Sequence, residues 1–482
     1  MPGDGLEPQE LARSITRLLD WAYANSPPQE EPPIRRRLLA HLGADLAELP
    51  VVSAPLPGYE RVNFQVALDA FLAEEGRSAE LIGLSAMHGY RFGLAELGQP
   101  ASRHAPMPEP GPPEYETAVI GERRISCVAA GLWLLDDGGT RLALLLRRED
   151  HGPRHAELGL EVMAARREDA EALLAGLQEL MHEHNVYRAR VLELSRSEWG
   201  GIGVTVRRLP AIARERIVLR AGVLERIERH TEHFSAHAEE LRRSGRHLRR
   251  GLLMHGPPGT GKTLTAMYLS TLMPDRTTIL LTGGSLGGIE EACDIARRLA
   301  PAMVVLEDVD LVAMERGYDM SPGGVLFDLL NEMDGLNEDV DVLFVMTTNR
   351  ADVLEPALAA RPGRVDLAVE LPLPDADARS RLIDLYGEGL ELDLRNRARI
   401  VERTQGASPA FIRELLRRAA LIAAERGAGT RLTDSDVSDA LDELRQAGSE
   451  LTQRLLGAGA ETAGRGHPAG LPDAVASGEW EG

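Results

Sequence analysis

Long apolar runs are missing from this chain of 482 residues. No stretch approaches the roughly 20 apolar residues that span a bilayer, so no membrane-crossing helix is expected. Cysteine is nearly absent. The two present, Cys127 and Cys293, sit in apolar stretches. That excludes a disulfide-stapled scaffold and fits packed, reduced thiols, hence a cytoplasmic location. Basic charge is in deficit: 54 Lys and Arg stand against 75 Asp and Glu, a formal net charge of −21. A general nucleic-acid or anionic-membrane binder needs a basic face and is not expected. One basic run, residues 242–250, breaks the pattern and reads as a solvated or subunit-facing turn. Residues 1–10 are polar and acidic, unlike a secretory signal. The length calls for two or three domains rather than one core.

What is present is sharper. Gly256-Pro257-Pro258-Gly259-Thr260-Gly261-Lys262-Thr263 matches the phosphate-binding pattern G-x-x-x-x-G-K-[ST] at every fixed position. An apolar run ending at His255 precedes it and a helix-forming run from Leu264 follows, the strand–loop–helix setting such a loop requires. The glycines let backbone N–H groups wrap phosphates at a helix N-terminus. Lys262 would reach the outer phosphates, and the Thr263 hydroxyl would ligate Mg2+.

Around this loop the chain divides by pattern. Residues 1–97 show amphipathic helical stretches at 9–25, 34–49 and 63–75, and read as a helical region. Residues 98–116 are Pro- and Gly-rich and read as a linker. Residues 117–208 read as an α+β domain, with a hairpin turn at Asp136-Asp137-Gly138-Gly139, a helix at 168–184 and short strands at 190–194 and 202–206. From 209 to 375, strands at 251–255, 278–282, 303–307 and 341–348 alternate with helices, the pattern of a parallel sheet. Residues 376–446 are helical, with 409–426 as one helix and a cap-like Thr433 and Asp436 before the last. Residues 447–482 are small and Gly-rich, a tail expected to be disordered. The fold class is α/β: a P-loop parallel-sheet core with a C-terminal helical lid, preceded by a helical segment and a small α+β domain.

The buried strand from Met303 ends in two acids, Glu307 and Asp308. They are expected at the carboxyl edge of the sheet, where ligands of parallel sheets bind. One would hold Mg2+ and the other would orient the attacking water. The next strand delivers Asn349, whose amide could sense the γ-phosphate and hold that water. His230, His233 and His237, spaced three and four apart, could present imidazoles to a metal, although their charged neighbours favour a solvated helix face.

With Asn331-Glu332-Met333-Asp334-Gly335, Thr348-Asn349-Arg350 and Arg361-Pro362-Gly363-Arg364 added to the P-loop, residues 210–446 resemble the AAA ATPase family. The resemblance implies ATP and Mg2+ as cofactors and a homo-oligomeric ring, commonly a hexamer. It implies Arg364, and with it Arg361, as arginine fingers reaching the neighbouring subunit's nucleotide. It also implies nucleotide contact by Gly406 and Ala407 at the start of the lid helix, and a second-sensor place for Arg413, which a solvated helix face competes with. Three departures stand out. The acids are ordered Glu-Asp rather than Asp-Glu. Leu367 replaces a second arginine. The loop 283–288 lacks the aromatic residue with which unfoldases grip a chain. The acid order and flanking motifs resemble the translocase-like branch that includes the mitochondrial Rieske-protein translocase. The expected activity is ATP hydrolysis that remodels or moves a protein partner, with residues 1–208 recognising that partner or regulating the ring. An ATP-controlled scaffold with little turnover is the alternative, and a DNA-acting motor fits the charge poorly.

Overall fold

The computed structural model describes residue 17 and residues 31–84, 92–99, 108–150, 156–196, 202–310, 331–332, 340–352 and 364–446. The expected helix at 9–25, Arg361 and the tail 447–482 lie outside these residues, as does most of the 331–335 motif. Two compact units emerge: Met1–Ala118 with Arg124–Val186, and Val119–Arg123 with Tyr187–Gly482.

In the first unit, seven strands build one sheet. They are β1 (Val51–Pro57), β2 (Arg77–Leu84), β3 (Pro110–Gly111), β4 (Glu114–Ile120), β5 (Arg123–Asp137), β6 (Thr140–Asp150) and β7 (Ala156–Ala164), in the order β1-β7-β6-β5-β2-β3 with β4 also on β5. Helices α1 (Pro33–Leu42), α2 (Arg61–Leu72), α3 (Leu94–Gly98) and α4 (Arg167–Glu183) cover it. Both faces are buried, which explains the unbroken apolar runs of β5 and β6. Trp133, Leu135 and Leu144 pack with Phe64, Phe71 and Leu177 of α2 and α4. Leu132, Leu134 and Leu145 pack with Ile34, Leu38 and Leu97 of α1 and α3. Gly138 and Gly139, at φ +60° and +99°, make the expected two-residue hairpin turn.

This differs from the expected division. Residues 1–97 are not only helical, because β1 pairs with β7 and β2 with β5. The stretch 98–116 is not only a linker: Pro110–Gly111 pairs with Gly83–Leu84. β1 and β2 escaped notice because prolines and charges interrupt their alternation, and partners distant in sequence supply their burial.

In the second unit, β8 (Val191–Arg196), β9 (Ile202–Arg207), β10 (Arg250–His255), β11 (Thr277–Leu281), β12 (Ala302–Leu306), β13 (Val342–Thr348) and β14 (Leu367–Glu370) form a sheet ordered β14-β10-β13-β12-β11-β8-β9. All neighbours are parallel except β8 and β9. The β8–β9 hairpin, expected in the α+β domain, instead covers the edge of β11, which otherwise would expose unpaired backbone groups. Helices α5 (Lys262–Leu272) and α6 (Ile289–Arg298) follow β10 and precede β12. The lid comprises α7 (Ala376–Tyr386), α8 (Arg397–Arg403), α9 (Pro409–Glu425) and α10 (Asp434–Gln446) around its own core of Leu382, Phe411, Leu415 and Leu441. The cap before α10 forms as expected: Asp436 accepts from Thr433 N at 2.8 Å and Thr433 Oγ1 at 2.6 Å.

At the opposite end of the strands from the P-loop, Asp341 bonds two buried arginines, Arg250 at 2.9 Å and Arg276 at 2.6 Å. Arg250, the last residue of the basic run, is thus a structural pin and not a solvated turn residue. Burial pulls its pKa down to about 10.

Candidate functional site

β10 ends at His255, and the chain turns back over residues 256–261 before α5 starts at Lys262. Two glycines are required. Gly261 caps α5 at φ +99°, with open space where a side chain would project. Gly259, at φ +75°, lies under the lid: an added Cβ would meet Ala410 Cβ at 2.8 Å and Ser408 Oγ at 3.0 Å. The loop is braced from within. Thr260 is buried and donates to Pro257 O at 2.9 Å. Lys262 Nζ donates to Gly256 O at 2.8 Å and Pro257 O at 2.9 Å. Burial lowers the pKa of this ammonium, and the facing carboxylates of Asp308 and Asp310 oppose the shift.

Above the loop opens a cleft of about 1260 Å³. Pro258, Gly259, Gly261, Lys262, Thr263 and Leu264 line one end, with Asp308 and Asn349 facing them. Ile212, Met267, Leu385, Tyr386 and Leu390 line an apolar end, suited to a planar base. Pro409, Ala410, Arg413 and Arg417 bring in the lid.

The two acids take different places. Glu307 accepts a hydrogen bond from the Thr263 hydroxyl, yet its Oε1 is buried with no hydrogen-bond partner among the described residues. Burial, then the charge of Asp308, raises its pKa, and the Thr263 bond opposes them. An orphaned carboxylate oxygen beside a hydroxyl is a donor set that suits a hard cation such as Mg2+. Among the described residues no group of three or more His, Cys, Asp and Glu side chains could hold a metal. Mg2+ at Thr263 and Glu307 would therefore draw its other ligands from phosphate and water. The histidines His230, His233 and His237 fall under the same finding and form no such group. His237 Nδ1 instead lies 2.8 Å from the carbonyl of His233.

Asp308 adopts φ +51°, a left-handed conformation uncommon outside glycine. Its Oδ1 accepts from Asn349 Nδ2 at 3.0 Å, and its backbone N donates to Thr347 Oγ1 at 3.0 Å. Asp310, which the sequence reading missed, accepts from Thr348 Oγ1 at 2.9 Å and Asn349 N at 3.2 Å. It is buried and fixes the end of β13 that carries Asn349. The signal was an acid two residues beyond a strand-end acid, opposite two consecutive threonines.

Other expected residues lie elsewhere. Ala407 is buried in the lid core and Gly406 turns at φ +75°, and neither lines the cleft. The lid touches the loop one step later. Ser408 caps α9 by accepting from Phe411 N at 3.2 Å, and Ala410 N donates to Gly259 O at 3.3 Å. Arg364 sits at the far end of β10, where an added Cβ on Gly251 would lie 2.2 Å from its carbonyl oxygen. Asp366 anchors that segment, accepting from Gly251 N at 2.8 Å and donating to Gly251 O at 2.9 Å. Residues 283–288 form a tight helical turn rather than an open loop, with Leu286 buried and Gly288 against Ile202 of β9.

Residues 252–373 match the family described as "ATPase family associated with various cellular activities (AAA)". The ATP-dependent zinc metalloprotease FtsH of Mesoplasma florum is 32% identical over 213 residues, 42% of this chain and 32% of that protein. FtsH 3 of Sphaerobacter thermophilus is 33% identical over 257 residues, 49% of this chain and 51% of the relative. FtsH 2 of the same organism is 34% identical over 220 residues, 42% of this chain and 33% of the relative. The chain spans about half or less of the length of these relatives.

Proposed function

We propose that this chain, which carries an AAA ATPase domain over residues 252–373, binds ATP with Mg2+ in the cleft above β10 and hydrolyses it in a ring of its own copies. One observation carries the reading: the Asp308 carboxylate, held by the Asn349 amide, faces Lys262 and Thr263 across the carboxyl ends of parallel strands. In this reading, backbone N–H groups of the loop and the Lys262 ammonium bind phosphate oxygens. Thr263 and Glu307 hold Mg2+, which supplies charge neutralisation at those oxygens. Asp308 takes the proton of the attacking water, and Asn349 orients both. The apolar end, from Ile212 to Leu390, takes the base.

Arg364 belongs to the neighbouring site. From Gly251 to the loop at Gly256 is about 16 Å of extended strand, so Arg364 is remote from the nucleotide of its own chain. A guanidinium supplied by a neighbour would stabilise charge developing on the transferred phosphoryl group and tie turnover to assembly. Arg361 is proposed as its companion. A hexameric ring, a cytoplasmic location and client binding through residues 1–208 complete the proposal.

The FtsH relatives are named as ATP-dependent proteases, which supports work on a polypeptide partner. Residues 283–288 hold no aromatic, which favours remodelling of a folded partner over threading. The likeness to the translocase-like branch rests on the Glu307-Asp308 order and flanking motifs alone. That acid order also favours a second reading, an ATP-controlled scaffold with little turnover.

Steady-state ATP hydrolysis measured against protein concentration tests the proposal. Turnover per subunit should rise with concentration and vanish in Lys262→Ala. A wild type that binds ATP but is no faster than Lys262→Ala would support the scaffold instead.

A further inference from the structure

We infer that Thr347 is a positioning residue that adapts this site to its shorter second acid; the inference rests on the hydrolytic reading above. The acid that follows the strand-end Glu307 is aspartate, one methylene shorter than glutamate. A shorter arm on an ordinary extended turn would stop short of the place a glutamate reaches. Here the backbone itself is moved. Asp308 sits at φ +51°, one of two non-glycine residues with positive φ among the described residues. Such a conformation persists only where its surroundings hold it.

The holding group is visible. Thr347, on β13, is 1% exposed, and its Oγ1 accepts the Asp308 backbone N–H at 3.0 Å. Without that oxygen, the Asp308 N–H would lose its acceptor where the chain leaves the sheet. Asn349, the residue just past the end of β13, donates from its Nδ2 to Asp308 Oδ1 at 3.0 Å. Backbone and carboxylate of Asp308 are thus gripped by residues two apart in sequence, one within β13 and one just beyond its end. Asp310 bonds Thr348 Oγ1 and Asn349 N, so the two strand ends cannot slide past each other without breaking several bonds. Thr347 touches no reacting atom; its effect passes through the direction in which Asp308 aims.

The test compares Thr347→Val, which keeps the shape and removes the acceptor, with Thr347→Ser, which keeps the oxygen. In full-length protein, Thr347→Val should lower kcat by about tenfold or more, as expected for loss of one buried hydrogen bond at a reacting group. KM and ATP affinity should stay within about twofold, and Thr347→Ser should restore kcat. Amide hydrogen exchange gives a readout independent of turnover. The Asp308 amide should lose protection in Thr347→Val and regain it in Thr347→Ser. In an Asp308→Glu background, Thr347→Val should matter less, because the longer arm does not need the turned backbone. A wild type that turns over, with Thr347→Val equally fast or with Asp308 exchange unchanged, would overturn the inference alone. A wild type with no turnover would overturn the hydrolytic reading, and this inference with it.

Discussion

At the residue scale, the site separates two acids by environment. Glu307 is drawn inward beside Thr263, whereas Asp308 is turned toward the cleft and held by Asn349. Asp308→Asn should keep nucleotide binding within a few-fold while lowering kcat by about two orders of magnitude or more, the usual contribution of a general base. Parallel calorimetry and turnover measurements check this. Outside the cleft, His230 carries a pH signature. Burial lowers its pKa, with Arg250 adding to the effect and Asp366 opposing it. A histidine depressed in the folded state takes up protons more readily once unfolded. It therefore costs stability as pH falls below its ordinary value near 6.5 and costs nothing above it. Denaturant unfolding between pH 5 and 7.5 should show stability rising with pH, and His230→Gln should flatten that rise.

At the element scale, the starts of β10, β11 and β13 are fastened by one carboxylate. Asp341→Ala would leave Arg250 and Arg276 buried without their shared counter-charge. A loss of about 3–5 kcal/mol in unfolding free energy is expected, read from the denaturant midpoint at constant slope. The contact between loop and lid gives a second expectation. Gly259→Ala must place a methyl 2.8 Å from Ala410 Cβ at φ +75°, so it should weaken ATP binding by about tenfold or more while leaving the fold cooperative. Calorimetric titration with ATP checks it.

These elements also show what could be read in the chain. The P-loop, the four strands from 250 to 348 and helix α9 were legible because each is local: an apolar run, a fixed glycine spacing, a continuous helical pattern from Pro409. The glycine pair at 138–139 made the β5–β6 hairpin legible for the same reason. Asp310 and Thr347 were not, since their partners lie 38 and 39 residues away along the chain. Nor was the sheet membership of β8, whose own sequence matches either sheet; only the open edge of β11 decides it. Gly406 and Ala407 lie just before Ser408 and Ala410, the residues that meet Gly259, because burial in the lid core and contact with the loop fall on neighbouring residues.

At the scale of the whole molecule, two units with separate cores share one chain, and the cleft lies wholly within the second. Among the described residues no helix is long and apolar enough to cross a membrane. Arg364 lies at the end of β10 away from the cleft, and in the proposed ring the site is completed by another copy. The most direct measurement mixes two silent variants. Lys262→Ala keeps its arginine and loses its site, while Arg364→Ala keeps its site and loses its arginine. If arginine is supplied in trans, each variant alone should be inactive. An equal mixture should recover measurable turnover, because random assembly pairs an intact site with an intact arginine at about a quarter of the interfaces. A mixture as silent as its components, beside an active wild type, would contradict the shared site.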